Sequence, residues 1–146
     1  MPRHVLVPLD GSPQALYAVR FVADEWPDAR VTLLHVIDPV QAGYRAGVLP
    51  TGSEDWYQEA KADAEEILAE GRDLLAGERE SDGAAAVETV TEVGRPAATI
   101  VEQARDRDAD HVAVGSHGRR GVSRLLLGSV AEHVARRSPV PVTIVR

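Results

Sequence analysis

The sequence predicts an α/β protein in which a doubly wound, five-stranded parallel sheet carries helices on both faces. Three observations predict this fold. Short apolar runs alternate along the chain with segments whose apolar residues recur at helical spacing. The short runs are apolar throughout, as expected for strands that are buried on both faces. At 146 residues, with 44% hydrophobic residues, the chain is long enough for a single domain over 1–146 with its own core.

The first half of the chain begins with a strand, HVLVPLD (residues 4–10), which ends in a turn at Asp10. Ser12 suits a helix N-cap and Pro13 suits the first helical position. The helix that follows has one apolar stripe, formed by Leu16, Val19, Ala23 and Trp26. Pro27 ends this helix, and RVTLLHVID (30–38) is the second buried strand.

The second half continues the alternation. Residues 39–53 contain Gly, Pro and Ser and are typical of a loop. Ser53 is the expected cap of an amphipathic helix over 53–77, with acids on its outer face. Its inner face is formed by Trp56, Ala60, Ala64, Ile67 and Leu68. Strands are predicted at 84–93, 109–116 and 140–145, and helices at 94–105 and from Ser129 to about Arg137.

Composition and charge limit the possible partners. A net charge of −7 disfavours nonspecific nucleic-acid binding, and a chain without cysteine has no disulfide framework or thiol chemistry. The N-terminal apolar stretch is too short for a signal peptide or a membrane span, so a cytoplasmic protein with no membrane partner is expected. Lys61 is the single lysine beside 15 arginines, which either a salty cytoplasm or GC-rich codon usage would explain.

One long stretch lacks acidic residues although the whole chain is acidic. Between His111 and Ala131 there is no Asp or Glu, but there are three arginines. Ligands of doubly wound sheets bind beyond the carboxyl ends of the strands. Asp10, residues 36–38 and residues 115–118 follow predicted strands, so they are expected to lie at one such site. The acid-free stretch is therefore either a basic surface loop or a site for a small anion.

Two interpretations of the small residues in this stretch stay open. Ser129 and Glu132 have the spacing of a capping box, which would give Ser129 a purely structural role. The same helix start presents N–H groups that suit a phosphate, and Gly128 would let an anion approach the backbone. Gly115 and Gly118 are either ordinary turn glycines or positions where a ligand touches the main chain.

Other phosphate-binding and catalytic motifs do not occur in the sequence. There is no Gly-Lys-Ser/Thr of a Walker A loop and no G-x-G-x-x-G after the first strand, and Ser123 lacks the second glycine of a nucleophile elbow. DRDAD (106–110) begins like a calcium loop, but His111 and His117 stand where Gly and Glu are needed, so a solvated turn is predicted. His117 is the one histidine in the predicted site, and no paired metal-ligand spacing is present.

The acid-free stretch contains the segment GSHGRRGVSRLLLGS, which fits the pattern Gly-x2-Gly-x9-Gly-Ser. Through this pattern the chain resembles the ATP-binding branch of the universal stress protein family. Three further segments are also similar to that family, namely VLVPLDGSPQAL, LLHVIDP and SPVPVTIV. The resemblance therefore covers essentially the whole chain, in the same element order. It implies a Rossmann-like fold, similar to that of the adenine nucleotide α-hydrolases, with a nucleotide site. The implied site residues are Pro8, Asp10, Val36, Val114, Gly115, Gly118, Gly128, Ser129 and Val130.

The resemblance also implies what these residues do. Asp10 accepts a hydrogen bond near the adenosine, Pro8 shapes the base pocket, and the backbone of Val36 meets the adenine edge. The end of the fourth strand contacts the ribose and phosphates, while the glycine loop and the following helix start surround the triphosphate. The resemblance also allows a divalent ion, Mg²⁺ or Mn²⁺, that bridges the phosphates of ATP, but no carboxylate cluster near the loop indicates a metal site made by protein.

The function implied is that of a nucleotide-dependent sensor or regulator in the stress response. Hydrolysis of ATP is expected to be slow at most, because His117 is the one candidate base within the loop. An enzyme that hydrolyses or transfers from ATP and a nucleotide-free interaction scaffold are the alternatives. Family members often form homodimers through their last strands, and VPVTIV (140–145) is a short apolar edge candidate, so a homodimer is expected.

Overall fold

Five parallel strands form one sheet with the order β3-β2-β1-β4-β5 in the described part of the chain. The structure is a computed structural model that describes residues 2–41, 54–79, 86–117 and 127–146. The strands are β1 (His4–Pro8), β2 (Arg30–Ile37), β3 (Val87–Val93), β4 (His111–Gly115) and β5 (Val142–Val145). Each neighbouring pair runs parallel. The predicted doubly wound α/β sheet is therefore confirmed, while the predicted cap at Ser53 and the site residue Gly118 lie outside the described residues.

Helices cover both faces of this sheet. They are α1 (Pro13–Glu25), α2 (Glu54–Glu78), α3 (Pro96–Asp106) and α4 (Ser129–Arg137). One core cluster joins α1 and α2 to the sheet, and a second cluster joins α3 and α4 to its other face. The predicted helices and strands are all found, with ends that differ by a few residues. Residues 39–41, which were predicted as part of a loop, are helical.

The strand order places the change in winding direction between β1 and β4. From β1 the chain moves outward to β2 and β3, and it then returns to β4 and β5 on the other side. The β1–β2 ladder ends with Pro8 opposite Leu34, and the β4–β5 ladder ends with Gly115 opposite Val145. Ligands of doubly wound sheets bind in the crevice at such a point.

Helix α1 begins and ends where the sequence predicts, but its buried face is rotated. The Ser12 hydroxyl accepts a hydrogen bond from the N–H of Ala15 at 3.2 Å, and Pro13 is the first helical residue. The buried residues are Ala15, Ala18, Val19, Val22 and Ala23. Leu16 and Trp26, which belong to the predicted stripe, are only partly buried. Because small residues form much of the buried face, α1 lies close to the sheet.

Helix α2 is longer than the strands that it covers. Its 25 residues span about 37 Å, whereas the eight residues of β2 span about 26 Å. Gly71 marks where the helix meets the sheet, since a Cβ at this position would overlap the side chain of Leu9 and approach that of Leu33. Because α2 connects the carboxyl end of β2 to the start of β3, its first turns extend beyond the carboxyl edge of the sheet.

The amino ends of β1 and β4 are joined through Asp110. The turn that contains Asp110 is exposed, as predicted, but its carboxylate also accepts a hydrogen bond from the backbone N–H of Arg3 at 2.9 Å. The N–H of Asp110 donates to the carbonyl of His4 at 2.9 Å. Asp108 has a φ of 53°, a left-handed conformation that aspartate tolerates better than most residues. The turn therefore has a structural role besides being solvated.

Two histidines at this amino edge form hydrogen bonds with threonines of neighbouring strands. His4 is 7% exposed, and its Nε2 lies 2.7 Å from Thr32 Oγ1. His111 Nε2 lies 2.6 Å from Thr143 Oγ1. Burial, reinforced by the positive charge of Arg30, lowers the pKa of His4, and burial also lowers the pKa of His111. Both side chains are therefore favoured in their neutral forms.

We expect the free energy of unfolding to decrease as the pH falls from about 6.5 towards about 5. The folded-state pKa of His4 lies below its unfolded-state value, so the unfolded chain takes up protons first and gains stability relative to the fold. The carboxylate of Asp110 opposes this shift without reversing it. Urea unfolding at the two ends of this pH window measures the effect. A His4→Gln variant should lose less stability on acidification than the wild type. The control His133→Gln replaces an exposed histidine and should lose as much stability as the wild type. Equal losses for His4→Gln and wild type would contradict the role assigned to His4.

Candidate functional site

A cleft of about 370 Å³ opens at the carboxyl edge of the sheet, where β1 and β4 lie side by side. Its volume is in the range of small-molecule sites. Eight of the nine residues predicted at the site line this cleft: Pro8, Asp10, Val36, Val114, Gly115, Gly128, Ser129 and Val130. The ninth, Gly118, lies outside the described residues. The structure thus brings the described members of the predicted set together.

The backbone at the tip of β1 is fixed by hydrogen bonds. The Asp10 carboxylate accepts from the N–H of Ser12 at 2.9 Å, and Gly11 between them has a φ of 86°, which favours glycine. The N–H of Leu9 donates to a carbonyl of β2 at 2.7 Å, and Nδ1–H of His35 donates to the carbonyl of Leu9 at 2.7 Å. Asp10 is therefore held at the cleft by both β2 and the start of α1.

The main chain of Val36 faces the cleft. The β1–β2 ladder ends at the pair Pro8–Leu34, whereas β2 continues against β3 as far as Ile37. Alternate residues of a strand direct their N–H and C=O groups to opposite neighbours. The carbonyl of Leu34 accepts from β1 and that of Ile37 accepts from Gly94 beside β3. The N–H and C=O of Val36 therefore point to the β1 side, beyond the end of that ladder, where they would meet the edge of a planar ligand.

Gly115 lines the cleft and is also required for the packing of α1, a role that the sequence did not suggest. A Cβ at this position would lie 2.8 Å from the carbonyl carbon and 2.9 Å from the carbonyl oxygen of Gln14, and 3.0 Å from the nitrogen of Ala15. These atoms belong to the backbone of α1 and cannot move aside as a flexible side chain would. Among the glycines that the structure describes, Gly11 is the one with positive φ, so Gly115 is not a turn glycine.

Helix α4 begins at the cleft with Gly128 as its N-cap. The N–H of Gly128 donates to the carbonyl of Ser116 at 2.7 Å, and its carbonyl accepts from the N–H of Glu132 at 3.0 Å. The predicted capping box was wrong, because Ser129 is the first helical residue and not the cap. The carboxylate of Glu132 pairs with Arg136 at 3.0 Å and does not reach back to the helix start.

The first turn of α4 directs N–H groups towards the cleft. Those of Ser129, Val130 and Ala131 have no acceptor within the helix, and all three residues line the cleft. The helix dipole adds a partial positive charge at this end. Gly128 has φ −65° and ψ 155°, which any residue can adopt, so its backbone conformation does not explain the glycine. Gly128 is buried and has no side chain, so only main-chain atoms of this residue border the helix start, as an anion that approaches the backbone would need.

His117 lies in the cleft, as predicted. It is 8% exposed, and its Nδ1 lies 3.0 Å from Ser116 Oγ. His35 lines the same cleft, although the sequence indicated only a strand position for it. The cleft therefore holds two imidazole groups where the sequence predicted one.

A comparison of sequences decides the family. The sequence profile of the Universal stress protein family matches residues 1–146. The chain belongs to the universal stress protein family. A universal stress protein of Methanocaldococcus jannaschii is 32% identical to it over 149 residues, covering 99% of this chain and 82% of the relative.

Two solved universal stress proteins extend the comparison to bound ligands. A universal stress protein in complex with cAMP is 31% identical, with a TM-score of 0.69, covering 99% of this chain and 97% of the other. The universal stress protein from Archaeoglobus fulgidus in complex with dAMP is 25% identical, with a TM-score of 0.69, covering 97% of this chain and 96% of the other. Both share the fold described above, and each was solved with an adenine nucleotide.

In this universal stress protein the cleft also has walls that the sequence did not predict. Helices α2 and α3 contribute Trp56, Glu59, Ala60, Asp63, Ile67, Pro96 and Ile100. The sequence pattern placed the acids of α2 on its outer face, yet Glu59 and Asp63 are exposed side chains at the border of the cleft. The length of the predicted helix could have indicated these walls, because a helix of 25 residues is longer than a strand of eight or nine and extends beyond its end.

Charge is distributed unevenly around the cleft. Carboxylates from the β1, β2 and α2 side line it, namely those of Asp10, Asp38, Glu59 and Asp63. The β4 and α4 side presents the helix start and His117. Within the described ranges, no lysine or arginine is among the lining residues. An anionic part of a ligand is therefore favoured at α4 and disfavoured at α2.

Among the described residues, no three His, Cys, Asp or Glu side chains are grouped so that they could hold a metal ion. In the same parts of the chain, no helix has both the length and the apolar character required to cross a membrane.

Proposed function

We propose that this chain binds an adenine nucleotide in the cleft, with ATP as its ligand. The observation that carries the proposal is that one cleft joins the main chain of Val36, which suits a base edge, to the N-terminus of α4, which suits phosphates. The relatives solved with cAMP and dAMP support an adenine base. The complete Gly-x2-Gly-x9-Gly-Ser pattern, through which the chain resembles the ATP-binding branch of the family, supports ATP among the adenine nucleotides.

Each predicted site residue has a place in this proposal. The adenosine lies against Pro8, Asp10 and Val36, and the ribose and phosphates lie against Val114 and Gly115. The triphosphate is surrounded by Gly118, Gly128, Ser129 and Val130. A Mg²⁺ or Mn²⁺ ion would be bound mainly by oxygens of the phosphates.

The proposed role is that of a nucleotide-dependent regulator in a cytoplasmic stress response, with slow ATP hydrolysis at most. Hydrolysis needs a group that positions water at the terminal phosphate. On the α4 side, His117 is the candidate among the described residues, and its Nδ1 is engaged with Ser116. The carboxylates that line the cleft lie on the opposite side. This arrangement favours nucleotide occupancy over turnover.

Calorimetric titration with ATP, AMP and cAMP, with and without Mg²⁺, tests the proposal. We expect saturable binding of one nucleotide per chain, with ATP bound more tightly than AMP because its additional phosphates extend over the start of α4. Mass analysis of any nucleotide released by denaturing the purified protein is an independent check. No binding of any adenine nucleotide at millimolar concentration would refute the proposal. Sustained turnover on the order of 1 s⁻¹ would replace the regulator by an enzyme.

We also propose that the chain forms a homodimer through β5. This strand lies at an edge of the sheet, with β4 as its neighbour, and its four residues are partly buried. An apolar edge strand exposes main-chain groups to which a second copy can pair. Light scattering during size-exclusion chromatography gives the particle mass, and a monomer at every concentration would refute the dimer.

A further inference from the structure

The first turns of α2 stand above the site in which ligands of this fold are expected. Gly71 meets Leu9 and Leu33, and from there back to Trp56 the helix rises about 22 Å. From Leu33 to the last residue of β2, Ile37, the strand rises only about 13 Å. Trp56 therefore stands beyond the carboxyl edge of the sheet. We call residues 56–63 the α2 overhang.

The α2 overhang gives the cleft an aromatic wall. Trp56 is half-buried and lines the cleft together with Ala60, and its ring meets that of Tyr57 edge to face with centroids 5.9 Å apart. Pro96 and Ile100 of α3 line the cleft from the opposite face of the sheet. Two apolar walls therefore flank the space beyond the strand ends, one on each side of the position where a flat ring would lie.

The main chain of Val36 determines the orientation of the plane of such a ring. Its N–H and C=O lie in the plane of the sheet, so a ring that pairs with them lies close to that plane and turns its two faces towards α2 and α3. Glu59 and Asp63, also on the α2 overhang, disfavour a phosphate group there. The uncharged base of a nucleotide is thus directed to Trp56, and its phosphates are directed to α4.

We propose that Trp56 contacts the base and is a specificity-determining residue of this cleft, so that affinity depends on the base as well as on the phosphates. This inference rests on the proposed nucleotide-binding function. Stacking of a base on an aromatic side chain strengthens binding and tolerates different bases, so Trp56 would distinguish a nucleotide from a phosphate compound that has no base. The nucleotide is therefore held by stacking at Trp56 and by main-chain hydrogen bonds at Val36.

A comparison of Trp56→Ala, Trp56→Phe and wild type tests this role. We expect Trp56→Ala to weaken ATP binding by about 5- to 100-fold and Trp56→Phe to restore most of the affinity. Gln58→Ala is the control, because Gln58 is an exposed residue of the same helix turn and is not among those that line the cleft. Thermal unfolding of each variant without nucleotide shows whether α2 remains folded.

Tryptophan fluorescence supplies a second readout. The chain has two tryptophans, and Trp26 packs against Phe21 and His111, far from the cleft, with ring centroids 5.3 Å and 4.6 Å away. ATP should change the emission of the wild type, and this change should disappear in Trp56→Phe although ATP still binds. If the wild type binds no nucleotide, the proposed function fails. If the wild type and Trp56→Ala bind ATP equally well, or the emission change persists in Trp56→Phe, the function stands and the role of Trp56 is wrong.

Discussion

A Gly115→Ala variant is expected to lose about 3 kcal/mol of unfolding free energy, near the upper end of ordinary overpacking costs. The added methyl group would lie within 3.0 Å of backbone atoms of Gln14 and Ala15. Helix α1 cannot yield locally there, because its first turn is fixed by Ser12 and Pro13 and its alanine face is packed on the sheet. The midpoint of thermal unfolding should fall by roughly 10 °C. Nucleotide affinity should fall with it, since the same residues border the cleft.

Gly77→Ala is the matched control for this prediction. The change is chemically identical, but among the described residues, apart from the chain neighbours and backbone of α2 itself, no atom lies within 4 Å of the position where the Cβ would be built. Gly77 is exposed near the end of α2, where alanine is favoured over glycine by up to about 1 kcal/mol. Urea unfolding should therefore show opposite signs for the two variants. A Gly115→Ala protein whose stability equals that of the wild type would show that α1 is not held against β4 in the way described.

The fold could be predicted because its signals are local. The continuous apolar runs at β1 and β2 and the Ser12-Pro13 start of α1 each fix an element without reference to distant residues. The placement of Asp10 and Val36 at one edge then follows from the geometry of parallel strands. The buried face of α1 was less predictable, because Leu16 and Ala15 are both apolar and only contact with the sheet decides which of them turns inward.

The parts of the site that the sequence did not predict depend on contacts between elements. The packing role of Gly115 was not predicted, because its conflict with the backbone of Gln14 exists only once α1 is docked on β4. Ser129 and Glu132 had the spacing of a capping box. The N-cap is instead Gly128, whose N–H donates a hydrogen bond to the carbonyl of Ser116. Trp56 was assigned to a buried helix face because the overhang of α2 becomes visible only when helix and strand lengths are compared.

Replacing Gly128 by aspartate should weaken ATP binding by at least 100-fold, about 2.7 kcal/mol, while the fold is retained. Aspartate is a favoured N-cap, its charge complements the helix dipole, and φ −65° with ψ 155° is open to it. The same carboxylate would stand where the proposed phosphates bind. Two like charges about 4 Å apart repel by about 4 kcal/mol at the effective dielectric constant near a protein surface. Calorimetry with ATP, together with the thermal midpoint of the unliganded variant, measures both effects.

Gly128→Asn separates charge from bulk in this prediction. Asparagine caps the helix as well as aspartate does and has nearly the same shape, but it carries no charge. If phosphates bind at the start of α4, the aspartate variant should bind ATP much more weakly than the asparagine variant, and high salt should narrow the gap. If both variants lose the same affinity, the side chain merely fills the cleft beside Ser129. If neither variant loses affinity, the phosphates do not lie at the start of α4, and the proposed role of Gly128 is wrong.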